Sequence, residues 1–123
     1  MIFVFGSNLS GIHGAGAAKE AYLNHGAIIG IGEGLQGNSY ALPTKGLKIS
    51  FMPLPEVAGY VDRFIKFALE HPELQFKVTR VGCGLAGFDD SEIAPMFKNA
   101  PANCYYDNKW QEYLPFKNFW GTY

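Results

Sequence analysis

The sequence has no excess of charge of either sign. Ten lysines and arginines are balanced by eleven aspartates and glutamates, which gives a formal net charge of −1 at pH 7. A protein that binds nucleic acid or a membrane surface through electrostatics carries a clear positive charge. The charge balance therefore argues against nucleic acid and membranes as partners.

Cysteine is scarce as well. The chain has two cysteines, Cys83 and Cys104, and their spacing fits neither a zinc cluster nor a redox pair. We therefore predict no metal site and no cofactor. A reduced, cytoplasmic chain is the simplest interpretation.

Long hydrophobic runs are also missing. No segment approaches the length that crosses a membrane. The apolar start at residues 1–5 is too short for a secretory signal peptide and lacks its positive charge. We therefore expect neither a membrane span nor a signal peptide.

The chain is rich in apolar residues and in glycine. Its 123 residues are 48% hydrophobic, which is enough for a single core, so we predict one domain over residues 1–123 without repeats or linkers. Fifteen glycines are spread over several loops. Such loops allow close backbone approaches and are more typical of phosphate-binding folds than of helix bundles.

The stretch at 76–90 is the predicted functional centre. Its apolar start at 76–81 favours a buried strand, and the glycines that follow predict a turn. Backbone without Cβ atoms can approach a ligand closely, and its N–H groups can form an anion site. Asp89, with Glu92 three residues later, matches the capping box of a helix whose apolar residues continue over 93–97. A plain tight turn is the alternative, because one glycine loop is a weak motif.

A similar strand, loop and helix begin the chain. Residues 2–5 predict a strand buried on both faces, and the loop at 6–16 is rich in glycine. Residues 17–23 then predict a helix lined with alanine, which can pack closely against a sheet.

Two strand candidates at 27–31 and 39–43 flank a further glycine loop at 32–38. Pro43 is expected to end the second of these strands. Lys45 then lies just beyond the strand, a position where exposed functional residues are common.

The clearest helix prediction covers 54–69, where apolar residues recur at helical spacing. The candidate for the last strand is 103–107. An aromatic tail follows, which we interpret as packing and not as a platform for stacked bases. Its members are Trp110, Tyr113, Phe116, Phe119 and Trp120.

Strands that alternate with helices predict an α/β fold, namely a three-layer α/β/α domain with a mixed, mostly parallel sheet. In such folds ligands bind at the carboxyl ends of the strands. All three glycine loops would meet there if their strands run parallel.

Three separated motifs occur in a characteristic order: HGAGAA at 13–18, YALPTK at 40–45 and RVGCGL at 80–85. Together they resemble the first substrate loop, the lysine strand and the diphosphate loop of the macro domain superfamily of ADP-ribose-binding modules. The closest resemblance is to its branch of ADP-ribosyl-glutamate hydrolases. It extends from about residue 3 to about residue 98.

The resemblance implies a macro-like fold with a cleft for ADP-ribose or a relative, whose diphosphate lies between the loops at 14–16 and 82–87. Together with the residue chemistry, it gives a set of ligand-binding candidates from the two glycine-rich segments. They are Ser7, Asn8, His13, Gly14, Ala15, Gly16, Gly82, Cys83, Gly84, Leu85, Ala86, Gly87 and Phe88.

The chain departs from the family pattern at two places. Macro domains usually begin with an extra strand and an acidic residue that recognises adenine. This chain starts on the next strand, so the resemblance does not predict which base the ligand carries. In the hydrolase branch an aspartate directly follows the Gly-Cys-Gly-Leu run, and here Ala86 holds that position.

The resemblance implies that Lys45 is an amine nucleophile that attacks the anomeric carbon of an ADP-ribosyl ester. A solvated lysine after a strand is the alternative. Asp89 and Asp90 are the candidates for a catalytic base, although helix capping explains Asp89 better.

Other candidates also have two interpretations each. Ser7 and Asn8 either form turns or donate to a ribose, and His13 either holds a phosphate or binds a ribose hydroxyl. Cys83 has no visible base, so a small buried side chain beside the ligand explains it better than a nucleophile. Phe88 either stacks on a ribose or packs inward.

Three functions remain open from the sequence. The first is binding of ADP-ribose or a related nucleotide derived from NAD, with hydrolysis of ADP-ribosyl bonds. The second is binding without turnover, and the third is a small interaction protein whose glycine loops are only turns. The expected partner is a small ADP-ribose-like ligand or an ADP-ribosylated protein.

Overall fold

The computed structural model describes all residues from 1 to 123. It is an α/β domain with a six-stranded mixed, mostly parallel sheet and three helices. The strands are β1 (Ile2–Asn8), β2 (Gly34–Gln36), β3 (Ser39–Lys45), β4 (Phe76–Val78), β5 (Cys104–Asp107) and β6 (Asn118–Gly121). The helices are α1 (Gly16–Asn24), α2 (Leu54–Glu70) and α3 (Asp90–Ile93).

The strand order in the sheet is β2-β3-β1-β4-β5-β6. Only β2 runs antiparallel to its neighbour β3, and every other pair is parallel. The strands β3, β1 and β4 are therefore adjacent and end at the same edge of the sheet. Ligands of α/β folds bind at this edge.

The two faces of β1 pack against different helices because side chains alternate along a strand. Phe3 and Phe5 contact the alanines of α1 in the smaller buried cluster. Val4 belongs to the larger cluster, which includes buried residues of α2 and α3. The sheet thus has apolar cores on both sides, and the predicted burial of β1 on both faces is confirmed.

The long helix α2 confirms the prediction from periodicity. Its residues Val57, Val61, Phe64 and Ala68 recur at helical spacing and are fully buried against the sheet. Pro55 lies in the first turn, where its missing N–H leaves no hydrogen bond unmade. The helix α1 also confirms its prediction, with one additional residue at each end.

The third helix is shorter than its apolar pattern predicts. The capping box is present, and Glu92 Oε1 accepts a hydrogen bond of 3.0 Å from the Asp89 N–H. The α-helix ends at Ile93, and the chain continues as a 3₁₀ helix over Ala94–Phe97. Pro95 explains the change, because a proline inside an α-helix lacks the N–H and clashes with the preceding turn.

The prediction of a strand at 27–31 is wrong. Gly26 and Gly30 have positive φ of 79° and 92°, and the N–H groups of this segment donate to α1, to nearby loops and to the Gln36 side chain, not to the backbone of a neighbouring strand. The free edge of β3 is instead occupied by β2, which the sequence pattern did not reveal inside the glycine loop at 32–38. Since β2 has three residues, its pattern is too short to recognise.

Pro43 does not end the third strand, which continues to Lys45. The strand β2 pairs with β3 only up to Ala41, so Pro43 lies on a part of β3 that has a neighbour on one side only. Proline is tolerated at such edge positions. The strand β4, in turn, ends at Val78, earlier than predicted.

The predicted strand at 103–107 forms as β5, but it is not the last one. The aromatic tail contributes the edge strand β6, which carries Phe119 and Trp120. Trp110 is fully buried, as the packing interpretation expects, whereas the Phe116 side chain is 99% exposed. None of the helices has the length and apolar character of a membrane-spanning segment.

Candidate functional site

A cleft of about 420 Å³ lies at the carboxyl ends of β1, β3 and β4. Nine of the residues that line it are glycine or alanine: Gly6, Gly14, Ala15, Gly16, Ala17, Ala18, Gly82, Gly84 and Ala86. The polar and charged residues in its wall are Ser7, Asn8, Thr44, Lys45, Thr79 and Arg80. The apolar ones are Ile12, Ile49, Val81 and Leu85.

The glycine loop after β4 lines the cleft and has backbone donors without a protein acceptor. Gly82 and Gly87 have positive φ of 77° and 82°, a conformation that favours glycine, and they turn the chain back towards α3. Between them, the N–H groups of Gly84, Leu85 and Ala86 donate to no protein atom. Consecutive free N–H groups in a turn form an anion-binding concavity.

The amino terminus of α1 supplies a second set of donors. The N–H groups of Gly16, Ala17 and Ala18 have no protein acceptor, and the helix has no capping side chain and no acidic residue in its first turn. The positive end of its dipole is therefore not compensated from within the chain. Such a terminus favours an anion.

The two loops that carry these donors lie close together. A Cβ atom placed on Gly16 would lie 3.7 Å from Cδ1 of Leu85 in the other loop. The sheet explains this proximity, because β1 and β4 are parallel neighbours and their following loops leave the same edge. The sequence-predicted loops at 14–16 and 82–87 therefore do border one cleft.

No carboxylate lines the cleft, and its charged residues are Lys45 and Arg80. Lys45 is the last residue of β3 and is partly buried. The three ion pairs of the structure involve other residues, so the Lys45 ammonium has no acidic partner within 4 Å. The cleft thus combines backbone donors with an unpaired cation, which suits a ligand that carries negative charge.

Arg80 is the second cation in the wall, and Asp90 holds it in place. Its Nε and Nη2 donate to the two oxygens of Asp90 at 2.8 and 2.5 Å, and Trp110 Nε1 also donates to Asp90 at 2.6 Å. The hydrogen bond from Arg80 is the main cause that lowers the pKa of Asp90 to about 2. Asp90 is therefore ionised at neutral pH and bonded on both oxygens.

Neither aspartate that the sequence suggested as a base lines the cleft. Asp89 caps α3, which agrees with the capping interpretation, and Asp90 pairs with Arg80. A base must reach the proton that it removes. Of the three catalytic candidates, the structure brings only Lys45 to the cleft.

Ser7 and Asn8 line the cleft, but their side chains bond to neighbouring loops. The Ser7 hydroxyl donates to the Gly32 carbonyl, and the Asn8 amide exchanges two hydrogen bonds with the backbone of Ile12, at 2.8 and 3.0 Å. The Asn8 bonds close the start of the loop between β1 and α1, which agrees with the turn-forming interpretation, whereas the Ser7 bond joins β1 to the loop at 32–38 and forms no local turn. Their contribution to the cleft is its shape.

His13 is buried and only 3% exposed. Its Nε2 lies 3.0 Å from the Ile28 carbonyl, and its ring packs edge-on against Phe5. Because a carbonyl only accepts hydrogen bonds, Nε2 carries the proton. His13 therefore joins the loop before α1 to the segment at 27–31 and is not among the lining residues.

Three further candidates from the second loop also lie outside the lining of the cleft, namely Cys83, Gly87 and Phe88. Cys83 borders a small neighbouring cavity, and burial, followed by the charge of Asp90, raises the pKa of its thiol to about 12. A thiol in that state is a poor nucleophile. Phe88 packs on the larger core cluster, which is the inward alternative.

The glycine loop at 32–38 lines no part of the cleft, because the strand predicted before it at 27–31, on whose parallel direction the expectation depended, does not form. The loop contains β2, which runs antiparallel to β3. Gln36, the last residue of β2, pairs with Ser39 at the amino end of β3, whereas the cleft lies at the carboxyl end of β3. Gly32 comes close to the carboxyl end of β1, where a Cβ atom on it would collide with the Asn8 carbonyl.

The candidates from the sequence omit nine residues of the wall: Gly6, Ile12, Ala17, Ala18, Thr44, Ile49, Thr79, Arg80 and Val81. Five of these stand inside the three motifs at 13–18, 40–45 and 80–85, and Gly6 and Ile12 belong to the glycine-rich loop at 6–16, so their position was a usable signal. Ile49 and Thr79 carry no such signal, because the cleft forms from the ends of strands that are distant in sequence. No group of three or more His, Cys, Asp and Glu side chains lies close enough together to hold a metal ion.

No protein-family model, no curated protein and no solved structure matches the chain.

Proposed function

We propose that this protein binds ADP-ribose or a related nucleotide diphosphate in the cleft at the carboxyl ends of β1, β3 and β4. The observation that carries the proposal is the pair of adjacent loops with free N–H groups in a cleft without carboxylates. A diphosphate is an extended anion with many acceptor oxygens, and it matches two adjacent sets of donors.

The dimensions of the cleft also agree with a ligand of this kind. Its volume of about 420 Å³ falls within the range of small-molecule sites. Its apolar residues Ile12, Ile49 and Leu85 are 45%, 43% and 70% exposed and offer contact surface for the less polar parts of a nucleotide. The unpaired Lys45 supplies positive charge.

The resemblance of the three motifs to macro domains supports the same ligand. Two of these motifs, at 13–18 and 80–85, contribute these two loops, and the third, at 40–45, ends in Lys45. The three-layer macro-like architecture is part of this proposal. It is supported by α1 on one face of the sheet and by α2 and α3 on the other.

We further propose that the protein binds this ligand without turning it over. Lys45 is the one feature in the cleft that favours ADP-ribosyl hydrolysis. However, hydrolysis also needs a group that accepts or donates a proton, and no carboxylate or histidine lines the cleft. Ala86 occupies the position at which the hydrolase branch has its aspartate.

Isothermal titration calorimetry with ADP-ribose tests the binding proposal. We expect saturable binding with one site, and weaker binding of ribose 5-phosphate, which has a single phosphate. No heat of binding with ADP-ribose, together with unchanged thermal stability in its presence, would favour the interaction protein whose glycine loops are only turns.

A further inference from the structure

The guanidinium of Arg80 is fixed in one orientation and still has unused donors. Nε and Nη2 both bond to Asp90, and Asp90 is held in turn by Trp110. Nη1, with its two N–H groups, has no acceptor among the hydrogen bonds of the structure. The Arg80 side chain is 30% exposed and borders both the cleft and the neighbouring cavity of about 120 Å³.

The pair of Arg80 and Asp90 has little net charge, so its effect on a ligand is directional. One edge of the planar Arg80 guanidinium is hydrogen-bonded to Asp90. The remaining N–H groups therefore point in a defined direction, which suits a phosphate oxygen. Lys45, by contrast, is an unpaired point charge that attracts any anion. The two cations therefore differ in what they contribute to recognition.

The sheet also separates the two cations. Lys45 ends β3 and Arg80 follows β4, and β1 lies between these strands. Two strand spacings put the main-chain positions of the two residues about 10 Å apart. A ligand with two linked phosphates spans more of this distance than a single phosphate does.

We propose that Arg80 is a specificity-determining residue of the cleft, which uses its free Nη1 edge to bind a second phosphate and so favours diphosphates over monophosphates. Asp90 is its positioning residue. The inference rests on the proposed function in one respect, namely that the ligand is a phosphate compound bound in this cleft. It adds that the second phosphate is bound by the Arg80 side chain and not by backbone donors alone.

The test compares inorganic pyrophosphate with inorganic phosphate as probes, by calorimetry on the wild type and on the double variant Arg80→Gln/Asp90→Asn. This variant removes one positive and one negative charge, so the net charge around the cleft stays the same. The asparagine that replaces Asp90 can still accept the hydrogen bond from Trp110. We expect the preference for pyrophosphate over phosphate to fall about tenfold, because a charge-assisted hydrogen bond is lost.

Lys45→Gln is the matched variant for the other cation. It should weaken both probes and reduce the salt dependence of binding, because the cleft loses net charge. The Arg80→Gln/Asp90→Asn variant should keep the wild-type salt dependence. A double variant with an unchanged preference for pyrophosphate would overturn the proposal, as would a wild type that binds neither probe.

The variant Trp110→Phe tests whether Arg80 recognises the ligand or only stabilises the loop. It removes one hydrogen bond to Asp90 and part of a buried side chain, but it leaves both bonds between Arg80 and Asp90 in place. We expect lower stability and an unchanged preference for pyrophosphate at a temperature where every variant is folded. A preference reduced as much as in the double variant would show that Arg80 acts only through folding of the loop.

Titration with ADP-ribose separates this inference from the proposed function. A wild type and a double variant that bind ADP-ribose equally well would overturn the role of Arg80 and leave the proposed function standing. A pyrophosphate preference that depends on Arg80 in a protein without affinity for ADP-ribose would support the role of Arg80 and remove ADP-ribose as the ligand.

Discussion

Gly84 is the residue at which the role of the second loop can be tested with least disturbance of the fold. A Cβ atom on Gly84 would meet no atom within 4 Å, and its φ is not positive. Gly84→Val should therefore fold normally while its side chain occupies space beside the free N–H groups. We expect at least a tenfold loss of affinity for ADP-ribose and a change in unfolding free energy within about 0.5 kcal/mol.

Gly59→Val is the matched control for this substitution. Gly59 is exposed on α2, its Cβ position is equally open, and it is not part of the cleft. The control should retain wild-type affinity. Calorimetry and chemical denaturation of both variants check the prediction, and normal affinity in folded Gly84→Val would remove this loop from the binding site.

Asp90 gives the protein a predictable pH dependence. Its pKa is lowered from 3.8 to about 2, first by the hydrogen bond from Arg80, and the ionised form is therefore favoured in the folded state. The resulting stabilisation is complete above about pH 4 and is lost as the pH falls towards 2. Since the pair is partly exposed and screened, we expect a contribution of about 1 kcal/mol at neutral pH.

The measurement is urea unfolding of the wild type and Asp90→Asn from pH 7 to pH 2. The difference in unfolding free energy should shrink between pH 4 and pH 2, because protonated Asp90 resembles asparagine in charge. Asp62→Asn is the control, since Asp62 is exposed on α2 and has no hydrogen-bonded or ionic partner. A difference for Asp90→Asn that stays constant over this range would contradict the assigned pairing.

At the scale of elements, the loop before α1 and the loop after β4 should bind one molecule. Gly14 offers the clean test of the first loop, because its Cβ position is open and its φ is not positive. Gly16 is less suitable, since its φ of 58° would strain any substituted residue. We expect Gly14→Val to weaken ADP-ribose binding about tenfold with little change in stability.

The double variant Gly14→Val/Gly84→Val shows whether the two loops share the ligand. If they hold the same diphosphate, the two losses of binding free energy should not add, because the first substitution already displaces the phosphates that the second would affect. Titration calorimetry of both single variants and the double variant gives the coupling. Full affinity in either single variant would argue against a shared cleft.

At the scale of the whole molecule, the strand order decides which chemistry is available. It brings Lys45 to the cleft and leaves both candidate bases outside it. We therefore expect the wild type to release no ADP-ribose from ADP-ribosylated glutamate in a product assay. If the wild type releases ADP-ribose and Lys45→Ala does not, the prediction is contradicted. The lysine would then act without a carboxylate in the wall of the cleft.

Ala86→Asp is the informative gain-of-function variant. It places a carboxylate in the wall of the cleft at the position where the hydrolase branch has one. We expect slow release of ADP-ribose that depends on Lys45, measured against the double variant Lys45→Ala/Ala86→Asp. An Ala86→Asp protein that binds ADP-ribose and remains inactive would show that the resemblance does not extend to the mechanism.

The sequence alone determined the features that depend on local patterns. The spacing of Val57, Val61 and Phe64 predicted α2, and Asp89 with Glu92 predicted the start of α3. The apolar run at 2–5 predicted a buried strand, although not its full length. The two glycine loops that border the cleft were also visible, because glycine marks close backbone approach in the sequence itself.

Only the tertiary structure decided which of these features meet. The edge strands β2 and β6 form because a free sheet edge offers partners, and short segments contain no pattern that announces such pairing. The pairing of Arg80 with Asp90 and the contact of His13 with Ile28 likewise depend on the fold of the loops between them, since these residues are ten and fifteen positions apart. Local propensity acts over a few neighbouring residues, whereas a cleft is made by the ends of strands from three parts of the chain.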